Sequence, residues 1–262
     1  MATERHWTVI LGASSGFGAA AALQLARSGY HIIGVHLDRK GTMPHVEEVI
    51  GGVRAAGAKA VFFNVNAADP ERRVEVLARA KAEADEAGVH LLLHSLAFGN
   101  LRPFVAADPG DAVTPAQMDM TLSVMAHSLV YWTQDLVYGG LLRGGGKVFA
   151  MTSAGGTRVL PNYGAVSAAK AALESHVRQL AMELAPRQIA VNAIRAGVTE
   201  TPALRKIPGH ELISDSARLR NPSGRLTTPA DVARALVVLS LPGTEWMTGN
   251  VLGVDGGEDI VG

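Results

Sequence analysis

The chain has 262 residues, 24 lysines and arginines against 24 aspartates and glutamates, and no cysteine. That length suits one domain of generous size. The charge balance argues against nucleic acid or an anionic membrane surface as the main partner, and the lack of cysteine excludes disulfides and thiolate chemistry. No apolar run approaches the roughly 20 residues needed to cross a bilayer. The first residues, MATERHW, pass almost at once into an apolar run without a charged-then-apolar leader, so the expectation is a cytoplasmic protein.

Trp7 to Leu11 reads as a short buried strand that breaks into Gly12-Ala13-Ser14-Ser15-Gly16-Phe17-Gly18. A small-residue helix, Ala19 to Ser28, is expected behind it, closed by Gly29. A strand, a glycine turn and a helix with open N–H groups make an anion site suited to a pyrophosphate. A second strand, His31 to Val35, follows at the distance of a βαβ unit, then His36-Leu37-Asp38-Arg39-Lys40. An acidic residue facing the adenosine ribose favours NAD, and basic residues favour the 2′-phosphate of NADP. The expected strand end puts His36 at the ribose with Arg39 close behind, which favours NADPH over NADH. A shift of two residues would put Asp38 there and reverse the preference.

Met43 to Gly57 reads as a helix and Lys59 to Val65 as the third strand, with Asn64 and Val65 placed to meet the adenine edge. Asp69-Pro70-Glu71 is a capped start for a helix to Ala87. Val89 to His94 is a near-continuous apolar run of the kind central parallel strands show. It empties into Ser95-Leu96-Ala97-Phe98, a turn expected to pass beneath a cofactor. His94, His127 and His176 read as structural, since nothing pairs them with a base or nucleophile. The nine histidines lack metal-ligand spacing, so no metal site is expected.

A long helix is expected over Pro115 to Tyr138, and then a strand, Gly144 to Met151, that delivers Ser153 to its carboxyl end. Another long helix begins at Pro161, with Pro186 marking its exit. Seven residues of helix turn through roughly 700°, so Tyr163 and Lys170 share a face. A phenol, an ammonium and a strand-end hydroxyl are the parts of a proton-donating site. Gln188 to Ile194 is the sixth strand and leads into Gly197-Val198-Thr199-Glu200-Thr201. From Thr201 to Arg225 the text is polar and irregular, and a loop of that length serves as a lid or binding segment. A helix, Pro229 to Leu239, and a closing strand and turn, Gly249 to Gly257, complete the chain. The alternation specifies an α/β doubly wound fold with a seven-stranded parallel sheet and helices on both faces. Its ligand crevice lies at the carboxyl ends of the strands, where every residue singled out above falls.

Gly12-x-x-x-Gly16-x-Gly18, Ser153 seventeen residues before Lys170, and Val254-Asp255-Gly256-Gly257 resemble the short-chain dehydrogenase/reductase superfamily and its Rossmann fold. The resemblance covers essentially the whole chain as one domain. The commonest members carry Tyr-x-x-x-Lys, but here Val166 stands four residues before Lys170 and Tyr163 stands seven before it. That spacing, His94-Ser95-Leu96-Ala97-Phe98 and Leu160-Pro161-Asn162-Tyr163 are similar to bacterial enoyl-acyl-carrier-protein reductases. The text from Met182 to Arg225, with serine at 153, looks most like the NADPH-dependent type of Bacillus. Met125 stands near the place of the superfamily's helix asparagine, which weakens a carbonyl-reductase reading that depends on an Asn–Lys relay.

The resemblance implies hydride transfer from NADPH to C3 of a trans-2-enoyl thioester in fatty-acid synthesis. Tyr163 would bind the enolate oxygen, Lys170 would hold the nicotinamide ribose, and Ser153 would either assist the oxygen or cap its strand. The cofactor would lie on Gly12, Ser14, Ser15, Gly16, Phe17, Gly18, His36, Arg39, Asn64, Val65, Ser95, Leu96, Ala97, Gly197, Val198, Thr199 and Thr201. Phe98, Tyr163, Leu204 and Ile207 would contact the acyl chain beneath a segment at about 199–225. The resemblance further implies acyl carrier protein or a CoA thioester as partner, and a homotetramer. The alternatives are a carbonyl reductase for 3-oxoacyl thioesters, steroids or sugars, and a cofactor-binding regulator without catalysis.

Overall fold

Strands covered on both faces read as near-continuous apolar runs, and four runs of this chain are mostly apolar and buried. They are β1 (His6–Leu11), β4 (Val89–His94), the second half of β5 (Leu142–Ser153) and β6 (Ala190–Ala196). In the computed structural model, which describes residues 5–261, these form the centre of a parallel sheet. β2 (Tyr30–His36), β3 (Ala60–Asn64) and β7 (Val251–Val254) complete it in the order β3-β2-β1-β4-β5-β6-β7. Of the leader reading, residues 1–4 lie outside the described residues.

Side chains alternate across a strand, so each strand feeds two cores. Val9, Leu92 and Val148 point to the layer of α3 (Pro70–Ala84), α5 (Ser128–Tyr138) and α6 (Gly164–Leu184). Ile10, Leu91, Leu93 and Phe149 point to the layer of α1 (Gly16–Arg27), α2 (Met43–Ala55) and α8 (Pro229–Ser240). Trp132 of α5 is wholly buried and its indole N–H donates to the Ala67 carbonyl at 2.8 Å, so its one polar atom is satisfied. Register aligns Leu11 with Val35 and His94, His94 with Ala150, and Ser153 with Ala196. The strand ends therefore open on one crevice, and the order reverses between β1 and β4, the switch point where such sheets bind ligands.

Four elements differ from the sequence expectation. The first helix starts at Gly16, not Ala19, because the glycine turn runs directly into it. The helix expected from Pro161 starts at Gly164, with Tyr163 as its N-cap residue, so Pro161 lies in the turn before it. The long helix over 115–138 is α4 (Pro115–Leu122) and α5 joined by a π-helical stretch, Ser123–His127. The segment expected to be irregular contains α7 (His210–Arg220), which buries only Ser214 and Ala217. A helix with so narrow an apolar contact leaves no hydrophobic period to read. Glu211 in its first turn and Arg218 and Arg220 in its last complement the helix dipole instead.

Candidate active site

The glycine turn is shaped by close backbone approaches. Gly12 has φ +87°, and a Cβ there would fall 2.3 Å from the Ser95 carbonyl oxygen. A Cβ on Gly18 would fall 2.0 Å from the Gly12 oxygen. The turn thus lies against the β4 exit and α1 lies against the turn. A Cβ on Gly16 would sit 3.5 Å from the Thr201 methyl, which brings the β6 exit to the same place. Ser15 is the N-cap of α1 but makes no side-chain cap bond, so the first N–H groups of the helix have no partner from it. Open N–H groups on a turn with no room for side chains fit a dinucleotide pyrophosphate.

Asp38, not His36, presents the polar group beside this turn. His36 is buried, and its Nδ1 stands 2.9 Å from Asp38 Oδ2. Partial burial pushes the Asp38 carboxyl up, but hydrogen bonds from Ser14, Thr42 and His36 outweigh it and hold the group below the usual carboxylate range. Arg39 is exposed. Asn64, expected at the adenine, is committed elsewhere: its Oδ1 accepts from Asp38 N at 2.9 Å and its Nδ2 donates to Asp38 O at 3.0 Å. Val65 N–H donates to the His36 carbonyl at 2.8 Å, and its side chain packs on the core. Asn64 and Val65 therefore fix the Asp38 turn, with Asn64 exposed and Val65 partly buried at the end of β3.

Ser153, Tyr163 and Lys170 come together as expected. A Cβ on Gly155 would fall 2.5 Å from Tyr163 Cε1 and 3.3 Å from Ser153 Oγ, so glycine is what lets the ring and the hydroxyl approach. Burial raises the Tyr163 phenol above its ordinary value, and Ser153 offsets part of that rise. Ser153 Oγ is buried and has no partner at hydrogen-bond geometry among the described residues. Lys170 is buried, donates to the Met151 carbonyl at 2.7 Å, and is lowered to about 8 by desolvation, against which Glu174 acts. Glu174, one turn after Lys170, accepts from Thr152 Oγ1 at 2.6 Å. The residue before Tyr163, Asn162, has φ +61°, a left-handed conformation that asparagine adopts more readily than most residues. Met125 packs with Val166 and Ala169 behind Tyr163, so this helix supplies an apolar backing in place of an amide.

His94, His127 and His176 each meet another side chain. His94 is fully buried with Nε2 2.8 Å from Ser128 Oγ, and burial, helped by Lys170, lowers it to about 3, so it is neutral. His127 and His176 pair with each other at 3.0 Å. No group of three metal-ligating side chains occurs among the described residues.

A cavity of about 480 Å³ opens beside Tyr163, with walls that include Arg102, Phe104, Leu160, Asn162 and Ser167. Of the expected substrate residues only Tyr163 lines it; Phe98, Leu204 and Ile207 do not. The Phe104 ring lies on Gly164, where a Cβ would fall 2.5 Å from Cζ. Pro103-Phe104-Val105, an apolar patch in a polar loop, is the signal in the sequence that could have marked this wall. At the β6 exit, Val198 N–H is taken by the buried Glu258 at 2.9 Å, Thr199 Oγ1 donates to the Gly197 carbonyl at 2.9 Å, and Leu204 N–H donates to Thr201 Oγ1 at 3.2 Å. Leu96 packs on the core, and Ser95 N–H donates to the Leu11 carbonyl at 2.9 Å. Phe17 packs on the opposite core, while Ala97 and Phe98 are exposed.

A doubly wound parallel sheet with this turn, and a partly buried tyrosine beside a buried lysine at its carboxyl edge, defines an oxidoreductase of the short-chain dehydrogenase/reductase class, which works with a nicotinamide cofactor. The chain belongs to the family described as enoyl-(acyl carrier protein) reductase, whose model matches residues 12–258. It is 30% identical to 1-cyclohexenylcarbonyl-CoA reductase of Streptomyces collinus over 99% of this chain and 89% of that one. It is 25% identical to a trihydroxynaphthalene reductase of Pestalotiopsis fici over 97% of this chain and 89% of that one. The fold superimposes on an enoyl-[acyl-carrier-protein] reductase (NADH) from Aquifex aeolicus with TM-score 0.83 at 24% identity, covering 99% of this chain and 98% of that one.

Lys170 loses its proton near 8 when folded and near 10.5 when unfolded. The unfolded chain binds more protons between those values, so stability due to this residue rises with pH across the window. Urea unfolding at pH 7.5 and 9.5 should show wild type gaining roughly 2 kcal/mol relative to Lys170→Met, at 1.36 kcal/mol per unit. A difference that does not change with pH would contradict the burial of an ammonium.

Proposed function

We propose that the protein reduces the carbon–carbon double bond of a trans-2-enoyl thioester, carried by acyl carrier protein or CoA, as a step of fatty-acid synthesis. The observation that carries this reading is the position of Tyr163. It caps α6 a full seven residues before Lys170, beside Ser153 and on the wall of an apolar cavity. A nicotinamide, when bound, supplies the hydride that C3 of the substrate needs. Negative charge then develops on the thioester oxygen, and Tyr163 donates a hydrogen bond to it, the kind of stabilisation that usually contributes most to such a step. Its raised pKa keeps the phenol protonated at neutral pH. Ser153, buried with unused hydrogen-bonding capacity, is placed as a second donor to the same atom. Lys170 supplies a nearby positive charge that favours the anion. Phe104 and Leu160 cover the acyl chain and exclude water.

With crotonyl thioester and reduced cofactor, oxidation followed at 340 nm should proceed, and Tyr163→Phe should lower kcat about 10²–10³-fold while cofactor affinity stays near wild type. Turnover of acetoacetyl thioester alone would favour the carbonyl-reductase reading instead. Cofactor binding without turnover of either would favour a regulator.

The resemblance implies NADPH, but the position of Asp38 supports NADH. Its carboxylate, held down by Ser14 and His36, lies beside the glycine turn where the adenosine ribose goes. A free 2′-hydroxyl can donate to it, whereas a 2′-phosphate would meet like charge. Wild type should show kcat/KM at least tenfold higher with NADH, and Asp38→Ser should narrow that ratio. A wild-type preference for NADPH would defeat this assignment.

The same resemblance implies a cytoplasmic homotetramer built through the long helices. Met120 on α4, Tyr131 and Tyr138 on α5, and Met182 on α6 are exposed apolar groups that such contacts would cover. Light scattering should give the mass of four chains, and a mass of one chain would overturn the assembly.

A further inference from the structure

The segment after β7 carries two acids that reach into both sides of the crevice. Glu258 is only 5% exposed, and its Oε2 accepts the Val198 N–H at 2.9 Å. Its Oε1 stands 3.4 Å from Arg220 Nη2 at the end of α7. A Cβ on Gly197 would fall 2.9 Å from Glu258 Oε2 and 2.4 Å from Thr227 Oγ1, so the carboxylate and the Thr227 hydroxyl fill the space that a side chain would need. Asp259 spans the other direction. One oxygen meets Arg158 Nη2 at 2.7 Å, in the loop between Ser153 and Tyr163, and the other meets Arg195 Nη2 at 2.8 Å, on β6. The turn that presents the two acids is itself fixed. Asp255 accepts from Gly257 N at 3.0 Å and Asp259 N at 3.2 Å, Gly257 has φ +88°, and Asn221 donates to the Asp255 carbonyl at 2.8 Å.

We infer that Glu258 is a positioning residue for the cofactor: it sets the backbone of Gly197-Val198-Thr199, the loop against which the nicotinamide end of the dinucleotide rests, while Asp259 anchors its segment to the Tyr163 loop. The physical case is that the ladder to β7 ends with Gly197 N–H donating to the Val254 carbonyl at 3.3 Å, and the next donor, Val198 N–H, is answered by Glu258 instead of a strand. A backbone donor turned toward the interior needs an acceptor, and here the buried Glu258 carboxylate sixty residues away supplies it at a partly buried site. With that acceptor gone, the peptide is free to rotate and the loop loses the shape that faces the glycine turn through Thr201. The adenosine half of the site, built on Gly12, Ser14 and Asp38, has no contact with Glu258 and keeps its geometry.

The inference rests on a nicotinamide dinucleotide lying across the glycine turn, and not on which substrate is reduced. Calorimetric titration of the full chain with NADH and with ADP-ribose, which lacks the nicotinamide, tests it for wild type, Glu258→Ala and Glu258→Gln. Glu258→Ala should weaken NADH about tenfold or more while ADP-ribose changes less than twofold. Glu258→Gln keeps an oxygen for Val198 N–H and should recover most of the NADH affinity. Equal losses for both ligands in Glu258→Gln, whose fold is checked by its thermal transition, would mark Glu258 as a general stabiliser and overturn the proposal. Unchanged NADH affinity in a folded Glu258→Ala would overturn it too. ADP-ribose and NADH binding are read without any acyl substrate, so a failure of thioester turnover leaves this result standing on its own.

Discussion

The buried ammonium of Lys170 is the constraint around which the crevice is arranged. An ammonium out of water is costly unless it is hydrogen-bonded. Here the Met151 carbonyl at 2.7 Å answers it, with Glu174 nearby. That bond ties α6 to the end of β5, and since Tyr163 caps α6 and Ser153 ends β5, the three groups are held as one unit. Desolvation lowers the affinity of Lys170 for a proton, and the positive charge it keeps at neutral pH favours an anion that develops beside it.

Around this unit the fold uses glycine where backbones or rings must touch. Gly155 admits the Tyr163 ring to Ser153, Gly164 admits the Phe104 ring, and Gly12 admits the Ser95 carbonyl. The Gly12 and Gly164 contacts join one strand exit to the next, and the Gly155 contact braces the β5 exit itself. The left-handed Asn162 immediately before Tyr163 belongs to the same design, since it turns the chain sharply where Tyr163 enters the helix and lines the cavity.

Electrostatics partitions the crevice. The β2 exit is acidic through Asp38, and the β5 exit is cationic through Lys170 of α6. The β6 exit is held by paired charges, Glu258 with Arg220 and Asp259 with Arg158 and Arg195. Phe104 and Leu160 give the cavity beside Tyr163 apolar walls. The acidic, cationic and apolar parts of the crevice thus come from different strand exits.

The sequence by itself determined the fold, because seven apolar runs alternating with helical text leave few other ways to bury both faces of the strands. It also determined the glycine turn and the Ser153–Tyr163–Lys170 set, since backbone conformation and side-chain chemistry at those positions are local properties. What it left undecided depended on long-range contacts. Whether His36 or Asp38 faced the glycine turn hinged on the last residue of a strand, and Asn64, from the neighbouring strand, settled it by clamping Asp38. The helix α7 was invisible because it buries only two small residues. The walls at Arg102 and Phe104, and the hold of Glu258 on Val198, join segments roughly sixty residues apart in each case. No local pattern encodes such a meeting; it exists only once the sheet has brought its strand ends to one edge.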